Sequence, residues 1–144
     1  MKVYLDNCSL QRPLDDQTQL RIEHETNAVI EILLLCESGN ATLVSSETLQ
    51  VEINEIQDMK RKTACLGILE VAKENVVTDL SIERRALGFE KTGIKQFDAL
   101  HLASAEAGGV DFFCTCDDDF LKKAKELGDL KVKAVSPIEL LEEI

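Results

Sequence analysis

Two aspartates follow apolar segments that have the composition of buried strands. Asp6 comes directly after Val3-Tyr4-Leu5, and Asp117 follows the segment 112–115 after a single cysteine. Because parallel strands of one sheet end at the same edge, the sequence places both carboxylates at one rim of the predicted fold.

Two further acids belong to predicted helices that leave the same rim. Glu52 lies six residues after Ser46, and Asp98 begins an alanine-rich stretch. Apolar neighbours flank both acids, so we expect both side chains to be partly buried.

Four acids that meet at one rim need a positive partner, because burial and mutual repulsion both oppose ionisation. The nearest basic residues along the chain are few, and they include Arg12 after Asp6 and Lys95 before Asp98. Carboxylate oxygens suit Mg²⁺ or Mn²⁺ better than Zn²⁺, which prefers His or Cys. One or two such ions can promote hydrolysis of a phosphodiester. The pattern therefore predicts metal-dependent phosphodiester hydrolysis.

Each acid also has a purely structural interpretation. Asp6 could cap a turn, and Asp98 could be the N-cap of its helix. Residues 117–119 could form a solvated helix N-terminus, and Glu52 could be an ordinary solvated helix glutamate. The joint pattern favours a site more than any single acid does.

Periodicity and capping residues predict alternating strands and helices. The predicted strands are 2–5, 41–44, 75–78, 111–115 and 131–135. The predicted helices are 17–37, from Ser45 or Ser46 to about 59, about 61–73, from Ser81 to near 92–93, 98–107, 117–127 and a short one from Pro137. No hairpin signal occurs, so we predict an α/β fold with a parallel sheet of about five short strands between two helical layers, as a single domain over 1–144. In such a sheet the site lies beyond the carboxyl strand ends, where the strand order reverses.

Composition limits the class of protein. The 144 residues are 44% hydrophobic and 30% charged, which is an ordinary globular balance. The net charge of −11 disfavours a protein that binds nucleic acid through a broad basic face, but it does not exclude nucleic-acid chemistry at a site where a cation is bound. Five cysteines without a CxxC pair predict reduced, mostly buried thiols, and the Cys114-Thr115-Cys116 pattern leaves redox sensitivity open. No secretory signal or membrane span is evident, so we expect a cytoplasmic protein with no membrane association.

The segments YLDN, SSETLQVEI and FDALHLASAEAGGVDFFCTCDDDF resemble a PIN domain, most closely the VapC-like toxin nucleases. The resemblance covers nearly the whole chain. It implies a three-layer α/β/α nuclease domain that cuts RNA with Mg²⁺ or Mn²⁺. The four acidic positions of the family, which bind metal and carry catalysis, correspond to Asp6, Glu52, Asp98 and Asp117.

The resemblance also implies accessory residues and partners. Asn7 and Thr115 match polar positions that orient a carboxylate or a water molecule, and Asp119 could share the fourth acidic role. Family members often form homodimers, and toxin members pair with an antitoxin. The candidate RNA contacts in this sequence are Arg12, Lys95, Arg84 and Arg85.

His101 lies three residues after Asp98, on nearly the same helical face. It could contact a substrate phosphate or a metal-bound water. It could equally be a histidine at the edge of the core, bonded to a backbone carbonyl.

Other functions are less consistent with the residues. A response-regulator receiver needs a lysine after its last strand, where this chain has Ser136-Pro137. No GxGxxG or GxxxxGK[ST] motif occurs, which argues against Rossmann and P-loop nucleotide binding. The remaining alternative is a catalytically silent PIN-type scaffold that binds RNA or protein without a metal.

Overall fold

Short apolar segments form a sheet of five parallel strands in the computed structural model, which describes residues 1–144. The strands are β1 (Lys2–Leu5), β2 (Thr42–Ser46), β3 (Glu74–Val76), β4 (Phe112–Cys114) and β5 (Lys133–Val135). In β1, the side chains of Val3, Tyr4 and Leu5 are all fully buried. Such continuous burial is typical of a parallel sheet covered on both faces.

The order of the strands is β3-β2-β1-β4-β5. From β1 the chain adds β2 and β3 on one side, and then returns to add β4 and β5 on the other. The order therefore reverses between β1 and β4, which is where ligand sites form in open α/β sheets. Tyr4 pairs with Phe113 and Leu5 with Cys114, so the two strands end side by side.

Eight α-helices and one short 3₁₀ segment, Arg12–Leu14, connect the strands. The helices are α1 (Asn7–Gln11), α2 (Leu20–Glu37), α3 (Glu47–Asn54), α4 (Met59–Leu69), α5 (Leu80–Glu90), α6 (Gln96–Ala107), α7 (Asp118–Lys125) and α8 (Pro137–Glu143). Helix α2 packs against α8, and α5 packs against α6. The predicted three-layer α/β/α architecture is confirmed.

Two local features differ from the prediction. The segment after β1 is helical, because the Asp6 side chain accepts a hydrogen bond from the backbone N–H of Ser9 and caps α1. The helix predicted to reach 59 ends at Asn54, and Asp58 caps a separate helix by accepting bonds from two backbone N–H groups.

The start of α5 was also predicted incorrectly. Asp79, not Ser81, is its N-cap, and its carboxylate accepts a hydrogen bond from the backbone N–H of Ile82. Both residues are favourable caps, and the structure selects the one whose side chain reaches the free N–H group.

One continuous cluster of buried apolar side chains fills the space between the sheet and the helices. Phe113 of β4 stacks on Tyr4 and meets Phe120 of α7 edge to face. This packing fixes the carboxyl ends of β1 and β4 relative to α7. None of the helices has both the length and the apolar character needed to cross a membrane.

Candidate active site

The four predicted acids line a single cavity of about 180 Å³. Each comes from a different part of the fold: the end of β1, helix α3, the first turn of α6 and the N-terminus of α7. The full lining is Asp6, Asn7, Cys8, Gln11, Glu52, Asp98, His101 and Asp117. The structure thus brings together four carboxylates that are far apart in sequence.

Asp6 is the most buried of the four, at 4% exposure. Its Oδ1 accepts hydrogen bonds from the Ser9 backbone N–H at 3.0 Å and from the Cys8 thiol at 3.1 Å. The Thr115 hydroxyl also donates to this carboxylate. Burial raises the pKa of Asp6, and these donors oppose that rise by stabilising the charged form. Asp6 is therefore both a helix cap and a cavity wall.

Asp98 lies within the first turn of α6 and is not its N-cap. The helix begins at Gln96, and the capping residue Lys95 makes no side-chain capping bond. Burial is the main cause that raises the pKa of Asp98 to about 6, and the charge of Asp6 adds to it. Two carboxylates thus oppose each other's ionisation across the cavity.

Glu52 is held by a chain of buried hydrogen bonds. His101 Nε2 lies 3.1 Å from Glu52 Oε1, and His101 Nδ1 lies 2.6 Å from the Tyr4 hydroxyl. That hydroxyl lies 2.6 Å from Ser46 Oγ, which caps α3 by accepting the Leu49 backbone N–H. His101 is therefore bonded to two side chains rather than to a backbone carbonyl, and it lines the cavity while only 1% exposed.

Asp117 is the most exposed member of the group and caps α7. Its Oδ1 accepts the backbone N–H of Phe120 at 3.1 Å, and its own N–H donates to Thr115 Oγ1 at 3.1 Å. Thr115 is fully buried and contacts both Asp6 and Asp117, so one hydroxyl links the ends of β1 and β4.

The sequence matches the model of the PIN domain over residues 11–126. The chain belongs to the PIN domain family. None of the curated proteins matches the sequence.

Several solved structures share this PIN fold at low sequence identity. VapBC2 from Rickettsia felis, bound to a promoter DNA fragment, gives a TM-score of 0.60 at 15% identity, with 94% of this chain and 98% of that chain covered. VapBC-1 from nontypeable Haemophilus influenzae gives a TM-score of 0.58 at 13% identity, with 96% of this chain and 99% of that chain covered. PAE2754 from Pyrobaculum aerophilum gives a TM-score of 0.57 at 15% identity, with 99% of this chain and 94% of that chain covered.

Asp119 lies outside the four-acid cavity of this PIN domain. It lines an adjoining cavity of about 190 Å³, which shares Asp98 and Asp117 with the first. Its carboxylate forms an ion pair with Lys123 at 3.1 Å. Lys95 lines the same adjoining cavity and is exposed to solvent.

Two of the predicted RNA-contacting arginines form internal ion pairs. Arg12 binds Asp15 at 3.1 Å and Glu25 at 3.2 Å, and it lines neither cavity. Arg85 binds Glu106 and Asp129, both at 2.7 Å. The structure does not bring these two arginines to the acids.

Arg84 and Asn7 are the remaining site residues that were predicted from the sequence. Arg84 is exposed on α5, away from the residues that line the two cavities. Asn7 lines the four-acid cavity, and its Oδ1 accepts a hydrogen bond from Gln11 Nε2 at 3.0 Å.

Sequence reasoning missed four polar residues of the site, namely Tyr4, Cys8, Gln11 and Ser46. Ser46 was predicted as a helix cap, but its contact with Tyr4 was not. Cys8 and Gln11 lie on α1, a helix of five residues that is too short to show a clear apolar period. A signal for α1 was present in Asp6 followed three residues later by Ser9, since an acid at that spacing can accept the third N–H of a helix.

The donor set fits a hard divalent cation. No lysine or arginine forms an ion pair with any of the four carboxylates. Glu25, the only other buried acid, is paired with both Arg12 and Arg21. The available ligands are carboxylate and amide oxygens, which Mg²⁺ and Mn²⁺ prefer. No three histidine, cysteine, aspartate or glutamate side chains stand close enough to form a ready-made metal centre.

Proposed function

We propose that this PIN domain is an endoribonuclease that uses Mg²⁺ or Mn²⁺, with Asp6, Glu52, Asp98 and Asp117 as its metal-binding and catalytic acids. The observation that carries the proposal is one cavity lined by these four carboxylates, none of which is paired with a lysine or an arginine. Unpaired acids at a switch point of a parallel sheet are costly unless a cation is bound there.

The residues of the chain have separate tasks in this proposal. Asp6, fixed by the Ser9 N–H and the Thr115 hydroxyl, and Asp98, on the opposing helix, would hold the cation. His101 orients Glu52 through its Nε2. When bound, a divalent cation supplies charge that offsets the phosphodiester and favours attack by water. Asn7 and Thr115 act as accessory residues, and Asp119, which lines the adjoining cavity together with Asp117, shares the role of Asp117.

The RNA substrate must approach an acidic protein through a small number of cations. Lys95 is exposed beside the acids and has no ion pair, so it is the best placed of the proposed RNA contacts. Arg84 remains a more distant proposed contact. Arg12 and Arg85 would have to break ion pairs to reach RNA.

We further propose that the chain is the toxin of a toxin–antitoxin pair and forms a homodimer. The similar structures named VapBC2 and VapBC-1 support a partner protein of this kind. The net charge of −11 favours a basic partner segment. Five free thiols favour a reducing compartment such as the cytoplasm.

Cleavage of a labelled RNA pool with Mg²⁺, Mn²⁺ or EDTA tests the enzymatic proposal. We expect cleavage only with the cations, and a loss of at least about a hundredfold in Asp6→Asn and Asp98→Asn. Asp16→Asn is the matched control, because Asp16 is exposed and lies outside the cavity.

Thermal unfolding with added Mn²⁺ separates a nuclease from a silent scaffold. A nuclease gains stability with Mn²⁺, and Asp6→Asn loses that gain while Asp16→Asn keeps it. A scaffold that binds no metal shows no gain in any variant, and that result together with absent cleavage would overturn the proposed function.

A further inference from the structure

A row of three hydrogen-bonded side chains connects helix α4 to the four-acid cavity. Arg61 Nη1 donates to Gln11 Oε1 at 3.2 Å, and Gln11 Nε2 donates to Asn7 Oδ1 at 3.0 Å. Gln11 and Asn7 belong to α1 and both line the cavity, whereas Arg61 belongs to α4 and does not. The row therefore extends from the outside of the site to its wall.

Arg61 is held in place by two further acceptors. Its Nη1 also donates to Asp15 Oδ1 at 2.9 Å, and its Nη2 donates to the backbone carbonyl of Leu14 at 2.9 Å. The side chain of Arg61 is only partly exposed to solvent. A guanidinium that is fixed by these bonds presents an N–H group to Gln11 in a constant direction.

The direction of the hydrogen bonds in this row follows from Arg61. A guanidinium has donors and no acceptor, so the end of the Gln11 amide that faces it must be the oxygen. The nitrogen of Gln11 then faces Asn7, and the end of the Asn7 amide that meets it must again be the oxygen. The Nδ2–H₂ group is thereby left as the free end of the Asn7 side chain.

The Nδ2 atom of Asn7 is an accessible donor in the wall of the cavity. It makes no hydrogen bond within the protein, and the buried side-chain atoms without a partner belong to other residues, namely Arg12, Ser45 and Ser104. The donor atoms of the other lining side chains already have partners: the thiol of Cys8 has Asp6, the ring of His101 has Tyr4 and Glu52, and Gln11 has Asn7. Asn7 is therefore the residue of the lining that can donate to a bound molecule without breaking a bond.

We propose that Asn7 donates a hydrogen bond from Nδ2 to a phosphate oxygen of the bound RNA, and that Gln11 and Arg61 are positioning residues that keep this donor free.

An amide suits this place for a chemical reason. The oxygens of a phosphodiester accept hydrogen bonds and cannot donate them, so they need a donor in a cavity that is rich in acceptors. A lysine there would form ion pairs with the four acids, whereas an uncharged amide leaves the acids free for a cation. A hydrogen bond to an anionic oxygen is also stronger than one between neutral groups. The inference rests on the proposed function, because it names a contact for RNA in the same cavity.

Hydrogen exchange of the side-chain amides, measured by NMR on the ¹⁵N-labelled full chain in EDTA, tests the orientation of the row. The NH₂ group of Gln11 should exchange with water more slowly than that of Asn7, because only the former is bonded within the protein. Gln11→Glu keeps an acceptor for Arg61 but has no donor for Asn7 Oδ1, so the Asn7 amide should turn and its NH₂ group should exchange more slowly than in the wild type. Equally slow exchange of both groups in the wild type would overturn the assigned orientation.

Fluorescence anisotropy of a labelled single-stranded RNA tests the contact itself, with Ca²⁺ as a cation that also takes carboxylate ligands. Asn7→Ala should lower the RNA affinity about tenfold or more, because it removes a hydrogen bond to a charged group. The rise in Tm caused by Mn²⁺ should be the same in this variant as in the wild type, since Asn7 is assigned to RNA and not to the cation. Asn75→Ala is the matched control, because Asn75 Oδ1 accepts a similar amide bond from Gln50 Nε2 at 3.2 Å and lines neither cavity.

A double-mutant cycle tests the positioning role of Gln11. Gln11→Glu should lower the RNA affinity about as much as Asn7→Ala, because the turned amide presents its oxygen to the phosphate. The added charge could have the same effect, and the double variant separates the two causes. In the Asn7→Ala background, Gln11→Glu should lower the affinity by less than about threefold more. Arg61→Met, which removes the donor to Gln11, should show the same dependence on Asn7. A further tenfold fall in either double variant would overturn the positioning role.

The outcomes separate this inference from the proposed function. Equal RNA affinity of the wild type and Asn7→Ala, with the dependence on Ca²⁺ intact, would refute the phosphate contact and leave the proposed function standing. Loss of the Mn²⁺-induced rise in Tm in Asn7→Ala would assign Asn7 to the cation and also refute the inference. A wild type that gains neither RNA affinity with Ca²⁺ nor stability with Mn²⁺ would refute the proposed function and the phosphate contact together, while the exchange measurement still decides the orientation of the two amides.

Discussion

Asp98 and Asp6 are carboxylates whose surroundings oppose their ionisation. Asp98 is half-buried, its pKa is raised to about 6, and the charge of Asp6 contributes to that rise. No basic side chain is ion-paired with either acid, so the folded protein bears an electrostatic cost that the unfolded chain does not. A bound cation would remove this cost. Because the cost exists only while the carboxylates are charged, the free energy of unfolding of the metal-free protein depends on pH.

The metal-free protein should lose stability as the pH rises from about 4 to 6 through the titration of Asp98. Below the unfolded pKa, near 4, the carboxyl is neutral in both states, and above the folded pKa, about 6, the full cost is present. After allowance for solvent screening the loss is roughly 1 to 2 kcal/mol. Urea unfolding in EDTA across this range measures it. Asp98→Asn should remove this part of the pH dependence and be more stable than the wild type at pH 7, whereas Asp16→Asn should follow the wild type. A pH profile of Asp98→Asn that parallels the wild type would contradict the assignment.

The Tyr4 hydroxyl is a second residue whose contribution can be isolated. Tyr4→Phe leaves His101 Nδ1 and the Ser46 hydroxyl without the partner that each has at 2.6 Å. Buried groups left in this way cost about 1 to 3 kcal/mol in the free energy of unfolding. Glu52 is held only through His101 in this chain of bonds, so RNA cleavage should fall as well.

Ser45→Ala is the control for Tyr4→Phe. The Ser45 hydroxyl is buried beside Ser46 but has no hydrogen-bond partner, so its removal should cost little. Urea unfolding compares the two variants. Equal free energies of unfolding would show that the Tyr4 bonds do not stabilise the fold.

Part of the candidate site could be predicted from sequence because its residues are tied to chain features. Asp6 and Asp117 follow apolar strands, and parallel strands end at a common rim. The partners of His101 could not be predicted in this way. Tyr4 lies 97 residues away in the sequence, and no local spacing shows which side chains meet across the core.

At the scale of elements, the alternation of strands and helices was predicted correctly, and the errors are at helix ends. An apolar period identifies a helix or strand because the buried face of that element must be apolar. The exact residue at which a helix begins or ends depends instead on which side chain reaches a free backbone group. Asp58 and Asp79 each decide such an end by capping. Both acids are exposed, so the pattern of apolar residues gives no information about which of them caps a helix.

The N-cap of α5 gives a direct test at this scale. Asp79→Ala should lower the free energy of unfolding by about 1 kcal/mol, because the Ile82 N–H loses its acceptor at 2.9 Å. Ser81→Ala should change it by less than about 0.5 kcal/mol, since Ser81 is an exposed residue inside the first turn. Thermal or urea unfolding of both variants distinguishes the two caps. A larger loss in Ser81→Ala would restore the interpretation drawn from sequence.

At the scale of the whole molecule, the net charge of −11 opposes a polyanionic substrate. Counterion release, which drives much nucleic-acid binding, requires Lys and Arg that face the phosphates. Arg12 and Arg85 are engaged with acids of the chain itself, and Lys95 is one of few free cations beside the cavity. A divalent cation bound by the carboxylates would reverse the sign of charge at the place where the proposed function puts the scissile phosphate.

RNA binding should therefore require a divalent cation even when no cleavage takes place. Ca²⁺ also takes carboxylate oxygens as ligands, so it serves as the probe for binding. Fluorescence anisotropy of a labelled single-stranded RNA should show affinity at least about tenfold higher with Ca²⁺ than with EDTA at equal ionic strength. Asp6→Asn should lose this difference, because it removes the most buried ligand, and Asp16→Asn should retain it. Equal affinity with Ca²⁺ and EDTA would mean that the positive side chains of the protein suffice to bind RNA, and that the acids are not where the phosphate is held.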